Sequence, residues 1–537
     1  MTRLLITLLA AATLVGCGKR ETPVEWGNKE QVLLMGNAAE PKELDPHLTT
    51  GVAEGRIELA LFEGLTSYNP KTLEPQPGVA ESWKISENGR VYTFKLRPDA
   101  KWSNGDPVTA EDFVFSMNRI LTPGLGAEYA SIVYPIQNAE AYNLGIVKDF
   151  SEVGVHALDS RTLQITLENP TSYFLSLTSF QAFYPVHKDT ILKHGSISER
   201  GTGWTRPDNI VSNGPFQLKS WVVGDRIEVE RNPYYHGAKT VRLNGIRFFP
   251  IENVNTEERA FRAGQLHITD NFPGDKIESY REKKSPDLHI NPYLGTEYYW
   301  FNTTRPPFND ARVRNAFSRA INRQQLVTHV EKRGQLPAYS LVPPDTATYT
   351  SENELKESVS SAQRLLAEAG YPNGEGFPKV ELIFNTTVNR RKTAEAVQKM
   401  WKDNLNVEVG LINQEWKHFL TTRAGKHYDI CRGGWIGDYP DPYAFLELFE
   451  SISTNNHSGW SNGSYDLILE ESKKSVDQKK RYAYMQEAEA IAVEEMPVIP
   501  LFYFNSASLI KKSVHGWYPN LLNMHPYQYV WLEEVES

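Results

Sequence analysis

The stretch that decides the fold of the C-terminal half runs from Lys379 to Trp435: KVELIFNTTVNRRKTAEAVQKMWKDNLNVEVGLINQEWKHFLTTRAGKHYDICRGGW. In it the short apolar runs KVELIF, VEVGLI and YDICRGGW alternate with the longer amphipathic segments KTAEAVQKMWKDNL and EWKHFLTTRA. Short apolar runs between helical patterns are typical of buried strands joined by crossover helices. The alternation therefore predicts an α/β lobe with a mostly parallel sheet.

A carboxylate stands where the last of these strands leaves the core. Asp438 follows YDICRGGWIG directly, within the turn-rich segment GGWIGDYPDPYAF, and Asp441 comes shortly after it. A carboxylate held at the end of a buried strand needs a partner, because removing an unpaired charge from water is costly. The partner is either structural, such as the donors of a local turn, or a ligand.

Length and composition place the chain among ordinary globular proteins of several domains. Its 537 residues exceed what one hydrophobic core organises, and it has 40% hydrophobic and 23% charged residues. The formal net charge is -9 and there is no long basic block, so nucleic-acid binding is not expected. The 12 Trp, 26 Tyr and 23 Phe fill cores, and they also suit a protein with a large ligand cavity.

The N-terminus predicts export. Arg3 precedes the apolar run Leu4–Val15, which is too short to span a bilayer and is typical of a secretory signal. The run leads into LVGC, which resembles the bacterial lipobox, whose cysteine is lipidated and becomes the mature N-terminus. We therefore expect residues 1–17 to be a lipoprotein signal peptide, with the mature protein tethered through Cys17 at the periplasm or cell surface. A plain signal peptide with an incidental cysteine is the alternative.

The motifs of catalysis and metal binding are weak. GWSNG, Gly459–Gly463, matches the G-x-S-x-G pattern of hydrolases, but the polar STNNHS before it lacks the buried strand that a nucleophile elbow requires. The 13 His show no metal-ligand spacing, and Asp438 and Asp441 lack the oxygen-rich spacing of a calcium loop. We therefore expect a binding protein without a cofactor or metal, and not an enzyme. An exported hydrolase that uses Ser461 is the alternative from another class.

Several stretches, in order along nearly the whole mature chain, resemble the oligopeptide-binding lipoproteins of ABC peptide importers. They include LDPH, LFEGL, PGVAESW, YTFKLRPDAKWSNGDPVTAEDFVFSMNRI, SNGPFQLKSWVVGDRIEVERNPYYHGAKT, PFNDARVRNAFSRAINR, AQRLLAEAGY, NQEWKHFLTTR and RGGWIGDYPDPYAFL. The resemblance implies the type II periplasmic-binding-protein fold, in which two α/β lobes joined by a hinge close on a ligand and an extra lobe is inserted in the first. It places lobe I at 18–62, 191–294 and 506–537, the inserted lobe II at 63–190 and lobe III at 295–505.

The resemblance also implies functional residues. An extended peptide is held largely through its main chain, as an added strand, and its α-ammonium needs a fixed carboxylate. The residue that matches this carboxylate is Asp438. Gly434, Ile436 and Val52 match positions whose backbone pairs with the peptide. The matching pocket aromatics are Trp416, Trp435, Tyr129 and Tyr293, and the matching cations for the C-terminal carboxylate are Arg305, Arg390, Arg423 and Arg432.

Each of these assignments has a structural alternative. In the structural alternative for Asp438, the carboxylate caps a local turn. In that for Arg423 and Arg432, the side chains form ordinary salt bridges, and in that for the tryptophans, the rings belong to the core. The chain also departs from the family pattern, because Thr50 and Trp300 stand where close relatives have acidic residues. These two changes bear on any preference for basic side chains and not on main-chain recognition.

The sequence therefore predicts a monomeric, lipid-anchored extracytoplasmic receptor that binds short oligopeptides and delivers them to the membrane permease of an ABC importer. A ligand with higher affinity for the closed lobes would drive the hinge. The alternative within the same fold is another solute: a dipeptide, a cell-wall peptide, a nickel complex or a sugar. Asp438 and the nearby cations favour a zwitterionic peptide over a neutral sugar. A purely structural envelope lipoprotein, the alternative from a third class, has no need of a cleft that closes.

Overall fold

The structure is a computed structural model of the chain, and it describes residues 21–386, 388–453 and 455–534. The predicted signal peptide and Cys17 lie outside these described residues. Within the described ranges, no helix combines the length and the apolar character needed to cross a bilayer.

A four-stranded sheet is built from the N-terminal part of the chain. Its first two strands are parallel, and the other neighbours are antiparallel. The helix Val52–Leu61 packs on this sheet through Ile57, Ala60 and Leu61, which are fully buried. The strands lie in the order Val32–Gly36, Gly245–Phe249, Arg226–Arg231 and Phe216–Val222.

A second four-stranded sheet is antiparallel throughout and forms a separate layer. In the strand Val91–Leu96, the alternating residues Tyr92, Phe94 and Leu96 are buried. They belong to the same core as the apolar side of the helix Ala110–Leu121. The strands lie in the order Ala80–Ile85, Val91–Leu96, Thr162–Thr166 and Val155–Asp159.

The largest sheet has six strands and is mixed, so the prediction of a mostly parallel sheet is wrong for this part of the chain. The two parallel pairs are those that Val380–Asn385 makes with its neighbours, and the other pairs are antiparallel. The antiparallel partners come from outside the stretch Lys379–Trp435, and local periodicity carries no information about them. The order is Leu336–Pro337, Val498–Leu509, Leu288–Phe301, Ile430–Ile436, Val380–Asn385 and Val409–Gln414.

Helices cover both faces of the six-stranded sheet. On one face Trp401 packs on Phe317, and its indole N–H donates to the Phe317 carbonyl at 2.9 Å. On the other face the helix residues Phe419 and Met485 belong to the same buried core as the sheet residue Cys431. The helices of the central and C-terminal parts are Val254–Arg262, Ala311–Arg319, Val359–Glu368, Val388–Leu405, Trp416–Ala424, Gly463–Lys474 and Gln478–Glu495.

Two long strands connect the six-stranded sheet to the N-terminal sheet. Leu288–Phe301 and Val498–Leu509 pair over almost their whole length, with a register shift between Pro292 and Thr296. At the end of this ribbon, Ile268 forms one single bridge to Met35 of the N-terminal sheet and another to Ile510, the residue after the strand Val498–Leu509. A narrow ribbon between two sheets suits a hinge. Each predicted lobe contains one of the three larger sheets, and the exact lobe boundaries stay a prediction.

A buried ion pair fixes the loop before the helix Val52–Leu61. The guanidinium of Arg119 bonds both carboxylate oxygens of Asp45, at 2.9 and 2.5 Å, and both side chains are buried. The indole of Trp204 donates to the same carboxylate at 3.2 Å. Since Arg119 belongs to the helix Ala110–Leu121, the pair also holds the second four-stranded sheet against the N-terminal layer.

Candidate functional site

A cavity opens between the six-stranded sheet and the two smaller layers. One wall is the start of the helix Val52–Leu61, and the opposite wall is the chain from Ile436 to Asp438, where a strand leaves the sheet. The remaining lining includes Thr50, Arg56, Tyr129, Phe180, Gln181, Tyr293, Trp517, Asn523, His525 and Tyr527.

Asp438 is the carboxylate of this cavity. The strand Ile430–Ile436 ends just before it, and the Gly437 N–H donates to the Leu294 carbonyl at 2.9 Å. Burial raises the pKa of Asp438 to about 6, and the nearby Tyr129 hydroxyl opposes this rise in part. No Lys, Arg or His nitrogen of the described chain lies within salt-bridge distance of it. Asp438 is therefore a desolvated carboxylate that still lacks a counter-charge.

The strand that leads to Asp438 leaves one of its edges open. Ile430–Ile436 pairs with Leu288–Phe301 along its whole length. On its other side it pairs with Val380–Asn385 only at Ile430 and Cys431. From Arg432 onward, that edge has no strand partner among the described residues. An extended ligand can add there as a further strand.

Five of the predicted residues meet at the cavity. Ile436 and Val52 line it and are exposed, by 44% and 65% respectively. Val52 is the first residue of its helix, so backbone N–H groups without an intrahelical acceptor stand at this wall. Tyr129, Tyr293 and Asp438 line the same cavity.

Arg432, by contrast, is held in a buried ion pair. Its Nε donates to Glu297 Oε1 at 2.6 Å and its Nη2 donates to the other carboxylate oxygen. The two residues are only 8% and 5% exposed. A bidentate pair occupies the guanidinium fork that a peptide carboxylate would need. The structure shows Arg432 in a salt bridge, as in the structural alternative, and its role toward a peptide carboxylate stays a prediction.

The other predicted cations also lie outside the lining of the cavity. Arg305 forms a partly exposed ion pair with Asp429 at 2.8 Å. Arg390 lies near Arg432 and near acidic groups, and burial lowers the pKa of its guanidinium. Arg423 packs over the Phe419 ring at 5.8 Å, and its buried Nε has no hydrogen-bond partner in the described part of the chain.

The remaining predicted residues surround the open strand edge. Gly434 lies on the edge itself, opposite Glu297 of the neighbouring strand. Trp435 packs against the core, and its buried indole N–H has no acceptor within the described ranges. Trp416 begins the helix Trp416–Ala424, is 48% exposed and stacks on Phe419 with 5.8 Å between the ring centroids.

Sequence reasoning missed two polar residues at this edge. Asn385 and Gln414 end the parallel strands Val380–Asn385 and Val409–Gln414, and each has a buried side-chain oxygen without a donor among the described residues. Buried polar atoms without partners are rare, and ligands of open α/β sheets bind at the carboxyl ends of strands. The signal that could have found them is a polar residue directly after an apolar run, as at Asp438.

The two departures from the family pattern have different surroundings. Thr50 lines the cavity. Trp300 is only 2% exposed and packs on Tyr298 and Phe449, with 5.1 and 5.5 Å between ring centroids, so it fills the core under the sheet.

The serine of the hydrolase-like motif lies away from this site. The Ser461 hydroxyl bonds that of Ser451 at 2.8 Å, in an exposed segment just before the helix Gly463–Lys474. A helical turn, Glu447–Phe449, is the nearest regular element before it, where a nucleophile elbow has a strand. Among the described residues, no cluster of three or more His, Cys, Asp or Glu could hold a metal ion.

A family comparison agrees with this geometry. Residues 74–457 match the sequence model of the bacterial extracellular solute-binding proteins, family 5. The chain belongs to this family. It is similar to the periplasmic oligopeptide-binding protein OppA of Escherichia coli (strain K12), with 38% identity over 501 residues, which cover 91% of this chain and 90% of OppA.

Solved structures of the family show the same fold. The murein tripeptide-binding protein MppA in its unliganded open form matches with a TM-score of 0.82 and 35% identity, over 94% of this chain and 98% of MppA. Haemophilus influenzae OppA in complex with the peptide RPPGFSPFR matches with a TM-score of 0.75 and 32% identity, over 94% of this chain and 99% of that one. The predicted fold, two α/β lobes with a hinge and an extra inserted lobe, is confirmed.

Replacing Arg432 tests the buried ion pair. Arg432→Met should lower the free energy of unfolding by about 3–5 kcal/mol, because it leaves the Glu297 carboxylate buried without a partner. Arg305→Met is the matched control, since it breaks an ion pair in which the arginine is half exposed, and it should cost about 1 kcal/mol or less. Urea unfolding of both variants measures the difference. A loss for Arg432→Met as small as the control's would contradict the pair.

Proposed function

We propose that this protein is an extracytoplasmic receptor that captures short oligopeptides in the cavity between its lobes and delivers them to the permease of an ABC importer. One observation carries the proposal: Asp438, a desolvated carboxylate without a counter-charge, lies beside an unpaired strand edge. A peptide α-ammonium supplies the missing charge. The peptide main chain supplies partners for the edge, and neither contact depends on the side chains of the ligand.

The other predicted contacts follow if the peptide binds with its ammonium at Asp438 and its main chain along the strand edge. The Tyr129 hydroxyl lies near Asp438 and favours its ionised form, the form that binds an ammonium. Gly434 and Ile436 offer backbone groups on the edge, and Val52 offers them from the facing lobe. Arg423 has no carboxylate within salt-bridge distance in the described chain, so we assign it, before Arg432, to the C-terminal carboxylate of the peptide.

The names of the relatives support this solute class. One relative is named an oligopeptide-binding protein and another a murein tripeptide-binding protein. The solved structure of a third relative contains a bound peptide. Members of the family are binding proteins, and we propose the same role here, with no catalysis and no cofactor. Dipeptides, cell-wall peptides, nickel complexes and sugars remain the alternative solutes. Asp438 argues for a ligand that bears a cation.

We also propose that the protein acts outside the cytoplasm as a monomer tethered by lipid at Cys17. The relatives named above are periplasmic, and the lipobox-like LVGC supplies the attachment site. In the native host, Cys17→Ser should move the protein to the soluble fraction or leave it as an unprocessed precursor. A variant that is processed normally and stays in the membrane fraction would show that the tether is wrong.

The ammonium anchor is tested with Asp438→Ala and a tetrapeptide in free and N-acetylated forms. Truncating one partner of a desolvated charge pair typically costs about 2–5 kcal/mol, and about 1.4 kcal/mol is tenfold in affinity. Isothermal titration should therefore show a roughly thirty- to several-thousand-fold weaker Kd for the free peptide. Acetylation should weaken binding to the natural protein strongly and to the variant little, since a direct pair makes the two changes non-additive.

The control for this experiment is Asp403→Ala, an exposed carboxylate on the helix Val388–Leu405. It should leave both affinities unchanged. Equal binding of free and acetylated peptide by the natural protein would contradict the role of Asp438. Binding of a sugar and of no peptide would contradict the proposed solute.

Peptide affinity should fall as the pH is lowered through about 6. Burial raises the pKa of Asp438 to about 6, so the carboxylate is ionised above that pH and protonated below it. The peptide ammonium stays protonated between about pH 5 and 7, so of these two partners only the Asp438 carboxylate changes its charge in this window. Binding to the natural protein should weaken toward pH 5, whereas Asp438→Asn should be weak and nearly independent of pH. Parallel pH profiles for the two proteins would contradict this assignment.

A further inference from the structure

The loop that carries Asp438 has few backbone restraints of its own. On its N-terminal side the Gly437 N–H donates to the Leu294 carbonyl at 2.9 Å, and on its C-terminal side the Asp441 N–H donates to the Tyr439 carbonyl at 2.9 Å. Between them, the N–H groups of Asp438 and Tyr439 have no acceptor within the described ranges, and a proline follows. Side chains must therefore hold this loop.

The side chain of Tyr439 makes the main contact. Its ring stacks on the ring of Tyr173, with 4.5 Å between the centroids and 11° between the planes. Tyr439 is 6% exposed, and its hydroxyl donates to Glu447 at 3.3 Å. Tyr173 directly precedes the short helix Phe174–Leu177, in the predicted inserted lobe. The stack thus joins the inserted lobe to the residue next to Asp438.

Other side chains also pack around the Tyr173 ring. The guanidinium of Arg481 lies 5.6 Å from the centroid of the Tyr173 ring, and the ring of Tyr443 lies 6.1 Å away. Arg481 also bonds both carboxylate oxygens of Asp441, at 2.7 and 2.8 Å, and this ion pair is buried. Tyr173 therefore sits in a slot whose walls are fixed to the end of the same loop.

We propose that Tyr173 is a positioning residue for the ammonium anchor: its ring holds Tyr439 and so sets the place of the Asp438 carboxylate. Tyr129 of the same predicted lobe lies next to that carboxylate and lines the same cavity. The inserted lobe then contributes to ammonium recognition from two sides, although Tyr173 does not line the cavity. This inference rests on the proposed function, because it assigns the ammonium to Asp438.

The test compares Tyr173→Ala with the natural protein, using one tetrapeptide in free and N-acetylated forms. An aromatic pair of this kind corresponds to roughly two- to tenfold in an equilibrium constant. Tyr173→Ala should weaken the free peptide by roughly that factor and the acetylated peptide little, so the preference for the free form shrinks. Tyr173→Phe keeps the stack and should restore most of the preference.

The matched control is Tyr142→Ala. Tyr142 is a half-buried tyrosine of the same predicted lobe, it packs edge-on against Phe150 at 5.2 Å, and it lies away from the anchor loop. It should leave both affinities unchanged. If Tyr173→Ala does not fold, Tyr173→Leu replaces it, since leucine fills the slot without a ring to stack.

The outcomes separate this inference from the proposed function. A natural protein that binds no peptide, or binds both forms equally, overturns the proposed function itself. A natural protein that prefers the free peptide, with an undiminished preference in the Tyr173 variants, overturns only the positioning role. Equal weakening of both forms in Tyr173→Ala also overturns it, because general damage to the cleft would act on both peptides alike.

Discussion

A carboxylate withdrawn from water without a counter-charge is the constraint on which the site depends. Asp438 lies where a strand leaves the six-stranded sheet, and burial raises its pKa to about 6. A cationic ligand removes this penalty when it binds, and it does so most in the state that excludes water best. Differential affinity of this kind is what a hinge needs in order to close on a ligand. The same charge that makes the empty site unfavourable thus makes the occupied, closed form favourable.

Three buried carboxylates of the molecule are neutralised by arginine, in contrast to Asp438. Asp45, Glu297 and Asp441 each face an arginine that bonds both of their oxygens, and all three are buried. Such pairs satisfy their own charges and fix one element against another. Asp438 has a tyrosine hydroxyl instead of an arginine. Of these four carboxylates, Asp438 is the one that lines the cavity, whereas the three paired ones fix elements of the fold against one another.

Local patterns in the sequence predict a good part of this arrangement. The strands and helices between Lys379 and Trp435 form as their periodicity indicates, and Asp438 lies at a strand exit as its position predicts. The resemblance to a known family supplies the candidate residues, and five of them meet at one cavity. These features are predictable because each depends on a short stretch of chain, in which the order of apolar and polar residues shows which side chains are buried.

The sequence does not reveal which strands and side chains pair when they are far apart along the chain. Glu297 neutralises Arg432 from a strand that is remote in sequence, so Arg432 looks like a free cation until the sheet is assembled. The antiparallel partner strands of the six-stranded sheet also lie outside the stretch Lys379–Trp435, so that stretch alone predicts a mostly parallel sheet. The stack of Tyr173 on Tyr439 joins two predicted lobes, and neither residue has a local pattern that predicts its partner.

A crystal structure of the protein with a bound tetrapeptide would test most directly whether Asp438 binds the peptide α-ammonium. The peptide should lie extended along the edge from Arg432 to Ile436, with its α-ammonium nitrogen within about 3.2 Å of an Asp438 oxygen. Its main chain should bond backbone groups of Gly434 or Ile436. A peptide whose ammonium faces solvent or another residue, with Asp438 bonded only to protein groups, would contradict the account.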